Sequence, residues 1–186
     1  MGKALLLKEM DAFAELGLER RLEWSGEALR AAFREAGKTR HPDGGGTVEG
    51  FERLQQALAC LIDPGARLRH WLELEGREGE LRGAVGPGVM DFFSSIGPVL
   101  QEADGLLKER EGAQSQLARA LLEPRIQECR EKLEGIQEQL DVAREERESR
   151  FPEVERGELD GWTVARELAF FGKWSAQIRA KFAAMW

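Results

Sequence analysis

The fold of the first part of the chain is decided by residues 25–61, which read SGEALRAAFREAGKTRHPDGGGTVEGFERLQQALACL. Two apolar stripes at helical spacing lie on either side of a central loop. The loop is His41-Pro42-Asp43-Gly44-Gly45-Gly46, because proline disfavours helix in the residue before it and the glycines weaken helix after it. Ser25 and Thr47 are predicted to cap the two helices. The stripes comprise Leu29, Ala32, Phe33 and Ala36 before the loop, and Phe51, Leu54, Leu58 and Leu61 after it.

Two further helices are predicted around this pair. A short amphipathic segment from Asp11 to Leu16 is stopped by Gly17, and Asp63-Pro64 starts a fourth helix with aspartate as cap and proline in the first turn. The sequence that follows, up to residue 88, is glycine-rich and ends in Gly-Pro-Gly, which is typical of a linker. We therefore expect a four-helix domain in residues 1–76, a linker in 77–88 and a second domain in 89–186.

The second domain is predicted to contain long helices. One seam repeats in alternating steps of four and three residues, and an upstream seam has the same rhythm but a different phase. Pro124 lies at the junction, which predicts either a tight reversal or a kink there. Phe151-Pro152 is expected to end the second long helix, and a final helix is predicted over about Gly157 to Trp186. The downstream seam is Leu122, Ile126, Cys129, Leu133, Ile136, Leu140 and Ala143, and the upstream seam is Val99, Ala103, Leu106, Ala113, Leu117 and Ala120.

No strand-like alternation is present, so the fold class expected for the whole chain is all-α. The second domain is predicted to be an antiparallel helical hairpin with a third helix packed on it, as in a three-helix bundle.

Charge is distributed unevenly. The net charge is −7, and residues 101–160 hold 17 acidic and 10 basic side chains, whereas the remainder is balanced. This argues against nonspecific nucleic-acid binding, which needs a basic surface. No apolar run approaches the ~18 residues of a membrane span, and Ala4–Leu7 is too short for a signal-peptide core. We expect a cytoplasmic protein without nucleic-acid or membrane partners.

The sequence contains few cysteine and histidine residues that could bind a metal ion. The cysteines, Cys60 and Cys129, are far apart and are expected to be buried free thiols in a reducing compartment. With His41 and His70 as the two histidines, no metal-ligand cluster can be written, and no cofactor is expected.

The context of His41-Pro42-Asp43 resembles the J domain of DnaJ-type co-chaperones. The tripeptide follows a helix with a basic face and precedes the pattern Phe-x-x-Leu-x-x-Ala-Leu-x-x-Leu. The segment 10–18 is similar to the family's first helix and its Leu-Gly turn. The segment 63–76 looks like the last J-domain helix of the HscB type, the J-proteins of iron–sulfur cluster assembly, which also carry a C-terminal three-helix domain.

This resemblance implies a co-chaperone that binds a DnaK- or HscA-type chaperone and stimulates its ATPase. No Walker-type GxxxxGK[ST] stretch is present, so the ATP chemistry is expected in the partner, and the chain itself is not expected to be an enzyme. His41 beside Asp43 lacks an activated nucleophile that could be placed by sequence. The residues expected to bind the chaperone are His41, Pro42, Asp43, Arg30, Phe33, Arg34, Lys38 and Phe51.

The resemblance also implies a protein client, and the resemblance to the HscB type indicates an iron–sulfur scaffold protein as a candidate. Apolar residues of the second domain are the expected client-binding positions. They are Phe92, Phe93, Ile96 and Phe170.

A second hypothesis is a degenerate J-like module that acts as a coiled-coil scaffold or dimerisation protein. Arg40 stands where the family places an aromatic residue before the histidine, Glu35 replaces a basic residue, and Gly37 weakens the helix before the loop. The heptad seam over 122–143 could pair within one chain or between chains, since heptads alone do not decide this.

Overall fold

The computed structural model describes residues 10–186, and all regular secondary structure within them is helical, which confirms the all-α prediction. Ala4–Leu7 lies outside the described residues. Pro42–Gly44 forms a single 3₁₀ turn inside the predicted loop. The α-helices are α1 Ala12–Glu15, α2 Gly26–Arg40, α3 Val48–Ile62, α4 Pro64–Leu74, α5 Pro87–Gly112, α6 Gln116–Glu148, α7 Phe151–Glu155 and α8 Gly161–Ala184.

Side-chain caps begin the first four helices, three of them at residues that the sequence predicts as caps. Each capping oxygen accepts a hydrogen bond from a backbone N–H of the first turn, which would otherwise have no partner. The caps Ser25, Thr47 and Asp63 are thereby confirmed. The bonds are Phe13 N–H to Asp11 Oδ1 at 3.0 Å, Ala28 N–H to Ser25 Oγ at 3.1 Å, Gly50 N–H to Thr47 Oγ1 at 3.0 Å and Ala66 N–H to Asp63 Oδ1 at 2.8 Å.

The chain forms two compact units. The first contains the described residues up to Arg82 together with Glu148–Ala165, and the second contains Gly83–Arg147 and Arg166–Trp186. The sequence-based division placed 148–165 with the second domain. The position of that segment could not be predicted from local sequence patterns, because its partners in the first unit lie more than 80 residues earlier in the chain.

Two hydrogen bonds tie residues 148–165 into the first unit. The Leu22 N–H donates to the Glu155 carboxylate at 2.6 Å, and Trp162 Nε1 donates to the Arg77 carbonyl at 3.0 Å. In this unit α3 packs against α1, α2 and α4. The core includes Phe13, Leu22, Leu29, Leu54, Leu61, Leu68, Phe151 and Val154.

His70 belongs to this core and accounts for part of its expected pH dependence. Its side chain is buried, stacks on Phe13 and accepts a hydrogen bond at Nε2 from the Ala12 N–H at 3.0 Å. Burial lowers the pKa of His70 below its ordinary value, although the charge of Asp11 opposes this shift. The neutral ring is the folded form, since an imidazolium could not accept the Ala12 N–H.

We therefore expect the first unit to lose stability on acidification. Below the ordinary histidine pKa of about 6.5 the unfolded chain binds a proton that the folded chain does not, so the free energy of unfolding falls with pH by up to about 1.4 kcal/mol per unit. Urea unfolding at about pH 7.5 and pH 5.5, for the wild type and for His70→Gln, measures this slope. A slope unchanged in His70→Gln would contradict the assignment.

The second unit contains an antiparallel pair formed by α5 and α6. Lys132 contacts Glu102 at 3.0 Å, and Arg125 contacts Glu109 at 2.6 Å, so position rises along one helix as it falls along the other. The helix α8 is antiparallel to α6, as shown by contacts of Gln137 with Ser175 and of Arg147 with Glu167. The predicted hairpin with a third helix is confirmed. The downstream seam is buried from Ile126 onward, at Ile126, Cys129, Leu133, Ile136, Leu140 and Ala143.

The chain reverses between the two long helices before Pro124, whereas the sequence predicted a reversal or a kink at Pro124 itself. The helix α5 ends at Gly112, α6 begins at Gln116, and Pro124 lies inside α6. The upstream seam therefore cannot continue through this turn, and the prediction for its last two members is wrong. Leu117 is 72% exposed and Ala120 is also exposed.

Three other predicted boundaries shift by a few residues. Pro87 begins α5 and so belongs to a helix rather than to the linker, as proline is well suited to a first helical turn. Phe151-Pro152 begins α7 instead of ending α6. The last helix runs over Gly161–Ala184, because Gly157 has a left-handed φ of 75° and ends α7.

The two thiols are free and buried, as expected, and burial raises the pKa of Cys60 to about 11. No helix within residues 10–186 is long and apolar enough to cross a bilayer. Across the same residues no group of three or more metal-ligating side chains converges.

Candidate functional site

The loop after α2 is wound tightly around the backbone of His41. The His41 carbonyl accepts hydrogen bonds from the Gly44 N–H at 2.9 Å and from the Gly46 N–H at 3.0 Å. The His41 ring accepts the Asp43 N–H at Nδ1, at 3.2 Å, and its edge meets the Phe51 ring with centroids 4.7 Å apart. The imidazole is thus held on two sides while about half of it remains exposed.

Asp43 is the most exposed group of the loop. Its side chain is 93% exposed, and its carboxylate lies 3.6 Å from His41 Nδ1. Because Nδ1 accepts a hydrogen bond, the proton of the neutral ring is on Nε2. The loop therefore offers a carboxylate acceptor and an imidazole donor side by side to an incoming partner.

Glycine is required in the loop for two separate reasons. Gly45 has a left-handed φ of 90°, which side chains rarely adopt. At Gly46 a Cβ atom would lie 2.1 Å from the carbonyl oxygen of Arg40, so no side chain fits there. The loop can close onto the end of α2 because these two positions carry no Cβ.

Replacement of Gly46 by alanine is expected to displace the loop from the end of α2. The clash is with backbone and cannot be relieved by a rotamer, so we expect a loss of about 1–3 kcal/mol in stability or a changed loop conformation. Gly37→Ala is the matched control, since its Cβ would make ordinary contacts at 4.0 Å with Leu54 and Phe51 and would favour the helix by about 0.5–1 kcal/mol. Thermal unfolding and amide NMR shifts of the loop measure both; equal effects of the two substitutions would contradict this account.

The face of α2 that precedes the loop is basic. Arg30, Arg34 and Lys38 are exposed and recur once per turn. Lys38 pairs with Glu35 at 2.5 Å, whereas Arg30 and Arg34 make no ion pair with any residue in the described range. Two guanidinium groups on this face of α2 are consequently available to an acidic partner.

Phe33 and Phe51 are half-buried, and Phe51 supports the loop while Phe33 packs against Phe51. Their ring centroids are 6.0 Å apart, and Phe51 in turn contacts His41. The structure thus brings together Phe33, Phe51 and the loop, with the basic residues on the same helix as Phe33.

An ion cluster that the sequence did not predict fixes the base of the loop. Glu15, at the end of α1, accepts from Arg40 at 2.5 Å and from Arg53 of α3 at 2.5 Å. The Glu15 side chain is only 15% exposed, so both contacts are partly shielded from water. Arg40, the residue directly before His41, thereby links the end of α2 to α1.

The predicted client-binding residues lie in the second unit and are not equally exposed. Ile96 is 2% exposed and belongs to the core, because it faces inward on α5. Phe93 is 48% exposed, and its ring meets those of Phe170 at 6.1 Å and Trp174 at 4.9 Å. Phe92 contacts Phe171 and Trp174 from the half-buried side. Phe93 is thus the exposed member of an aromatic cluster in which Phe92 and Phe170 are half-buried.

Comparison with known proteins finds a similar structure but no similar sequence. The sequence matches no protein-family model and no curated protein. The structure is similar to that of chaperone HscB from Vibrio cholerae, with a TM-score of 0.57 and 18% sequence identity, over 92% of this chain and 96% of that chain. At this level of identity the likeness concerns the fold.

Proposed function

We propose that this protein is a co-chaperone that binds a DnaK-type ATPase through the His41-Pro42-Asp43 loop and the basic face of α2, and stimulates ATP hydrolysis by that partner. The observation that carries the proposal is the loop itself. It is braced by His41 and two close-fitting glycines, yet presents an almost fully exposed Asp43 carboxylate. The HscB-like fold supports the same function.

The charges around the loop suit a docking surface with two components. Arg30, Arg34 and Lys38 can steer and orient an acidic partner surface, which chiefly raises the association rate and makes it dependent on salt. Asp43 can accept a charge-assisted hydrogen bond from an arginine of the partner, which fixes the register of docking. Phe33 and Phe51 act beneath this surface by holding the loop in place.

The proposal assigns no catalysis to this chain. A histidine whose Nδ1 accepts a backbone N–H and whose ring rests on Phe51 is held as a binding group. The hydrolysis of ATP takes place in the chaperone, and the contact with the loop favours the conformation in which the chaperone hydrolyses it. The stimulation is therefore a coupling between binding of this protein and hydrolysis in the chaperone, and not a catalytic activity of His41 or Asp43.

The client is proposed to bind the aromatic surface of Phe93 and Phe170. Exposed aromatic side chains that lie together are typical of protein-binding surfaces. The family resemblance implies an iron–sulfur scaffold protein as client. Capture of a scaffold protein by the wild type and its loss in Phe93→Ser with an unchanged fold would support this assignment; equal capture by both would contradict it.

The experiment that tests the chaperone proposal is single-turnover ATP hydrolysis by DnaK-type chaperones of the source organism. Each chaperone is measured alone and with increasing concentrations of this protein. A saturable increase in the rate constant supports the proposal. No increase with any chaperone of this class would exclude it.

The alternative function, a coiled-coil scaffold, finds less support. The seam that would pair between chains, from Ile126 to Ala143, is buried within a single chain. Self-association through it would require the second unit to open. Light scattering at increasing protein concentration tests this alternative, and a constant monomer mass would exclude it.

A further inference from the structure

An acidic stripe runs along the exposed side of α6 in the second unit. Its five carboxylates recur in steps of three and four residues, so each lies about one turn from the next on one face. None of them makes an ion pair with a residue of the described range, although Glu131 and Asp141 accept hydrogen bonds from glutamine side chains. The acidic stripe consists of Glu131, Glu134, Glu138, Asp141 and Glu145.

The charge of this stripe contrasts with the neighbouring surface. On the side of α6 that faces α5, the acidic residues are neutralised, as in the pair of Lys132 with Glu128 at 2.9 Å and with Glu102 at 3.0 Å. Five of the 17 acidic side chains of residues 101–160 thus lie on a face where none of them has an ion-pair partner among the described residues. Self-repulsion along the stripe costs stability that a cationic partner would restore.

A groove with an apolar floor opens directly beside the acidic stripe. It lies between α6 and α8 and has a volume of about 500 Å³. Leu133, Ile178 and Phe182 form the floor, and Glu134 and Glu138 of the stripe form one rim. The other rim carries Arg179, whose Nε donates to the Ser175 carbonyl. The groove thus combines an apolar interior with a predominantly acidic edge.

We propose that this groove is a docking site for a basic amphipathic helix of a partner protein. Apolar side chains on one face of the partner helix enter the groove, and lysine or arginine residues at its flank, spaced by three or four, meet the acidic stripe. Helix-in-groove recognition uses the same spacing of anchors. The stripe runs from residue 131 to residue 145, which is about 21 Å along the helix axis and matches about four turns of a partner helix.

The charge of the groove selects this occupant over others. A nucleic acid or an anionic membrane would be repelled by five carboxylates that lack cations. An apolar peptide without charge could fill the floor but would gain nothing from the stripe. This site is separate from the cluster of Phe93 and Phe170 in the same unit, so it offers a further contact to a protein bound at that cluster.

The test uses the full chain and a labelled synthetic peptide of about 18 residues, made of Leu, Lys and Ala with leucines on one helical face. Fluorescence anisotropy gives its Kd for the wild type and for Glu134→Lys/Glu138→Lys. The two substitutions replace attraction between carboxylates and peptide lysines by repulsion between lysines, so we expect the affinity of the protein for the peptide to fall roughly tenfold or more. Wild-type affinity should also weaken as salt rises, because exposed charges are screened. Circular dichroism checks the fold, and Glu134→Gln/Glu138→Gln provides a milder variant.

Two controls distinguish this site from general attraction. Glu75→Lys/Glu111→Lys makes the same change in net charge at exposed carboxylates outside the stripe, and should bind the peptide like the wild type. A peptide with glutamate in place of lysine should bind at least tenfold more weakly to the wild type. Equal losses in both double variants, or equal binding of both peptides, would overturn the proposal. His41→Gln should bind the lysine peptide normally, which separates this result from any failure of the chaperone proposal.

Discussion

A protein in which glutamine replaces His41 is expected to fold normally and to give no measurable stimulation of a DnaK-type ATPase. The imidazole is held between the Asp43 N–H and the Phe51 ring, and this places its donor beside the Asp43 carboxylate. Glutamine has a longer flexible chain and no ring to rest on Phe51, so the pair of polar groups loses its fixed geometry. Loss of one well-placed polar contact at a docking centre costs about 1–3 kcal/mol, or roughly ten- to a hundredfold in affinity.

The same substitution should leave stability almost unchanged. His41 is about half exposed, and replacements at such positions usually alter the free energy of unfolding by about 0.5 kcal/mol or less. Single-turnover hydrolysis and urea unfolding are measured on the same preparations. Glu52→Gln, an exposed position on α3, is the control and should stimulate like the wild type. Full stimulation by His41→Gln would remove the loop from the mechanism.

The helices of the first unit could be predicted because their signals are local. The caps Ser25, Thr47 and Asp63 act within four residues, and each stripe is read within one helix. The loop was predicted for the same reason, since proline and glycine act on their immediate neighbours. Its compact 3₁₀ turn required the hydrogen bonds to the His41 carbonyl, which no local propensity specifies.

The reversal between α5 and α6 was placed wrongly because an apolar rhythm can continue across a turn. Ala113 and Leu117 have heptad spacing, but the chain leaves the helix at Gly112 and re-enters at Gln116. Leu117 then faces solvent although its spacing fits the seam. The glycine at 112 was the available signal, since glycine is common where a helix ends.

The parts of the candidate site that sequence reasoning missed all depend on distant residues. Glu15 meets Arg40 across 25 positions and Arg53 across 38. Trp174 meets Phe93 across most of the second unit. Conversely, Ile96 was expected at the surface because α5 was read without its partners, and its burial follows from packing in the folded unit.

Replacement of Arg67 by alanine is expected to be the most destabilising of the substitutions considered. Arg67, on α4, is 3% exposed in the middle of the first unit. Its Nη1 donates to the carbonyls of Trp24 at 3.0 Å and Leu61 at 3.1 Å, its Nη2 donates to Glu148 at 2.6 Å, and its guanidinium lies 5.6 Å from the centre of the Phe151 ring. Burial lowers the pKa of Arg67, while the charge of Glu148 opposes this shift.

Alanine at position 67 would leave the buried Leu61 carbonyl and the half-buried Trp24 carbonyl without this donor, and Glu148 without its cation. Such losses cost about 1–3 kcal/mol for an unsatisfied buried group, and the pair with the partly exposed Glu148 adds less because water screens it, so we expect a decrease of about 2–4 kcal/mol in the free energy of unfolding. The segment that begins at Glu148 would keep its hydrogen bonds through Glu155 and Trp162 but would lose the ion pair that joins it to α4. Hydrogen exchange in α7 should therefore become faster than in α3.

Arg69→Ala provides the matched control for this measurement. Arg69 lies on the same helix, is partly exposed, and meets Glu73 at 3.8 Å, so its loss should cost about 0.5 kcal/mol or less. Urea unfolding followed by tryptophan fluorescence compares the two variants. If Arg67→Ala lost no more stability than Arg69→Ala, the segment from 148 to 165 would be held in the first unit by its apolar contacts alone, and Arg67 would contribute only what a surface arginine does.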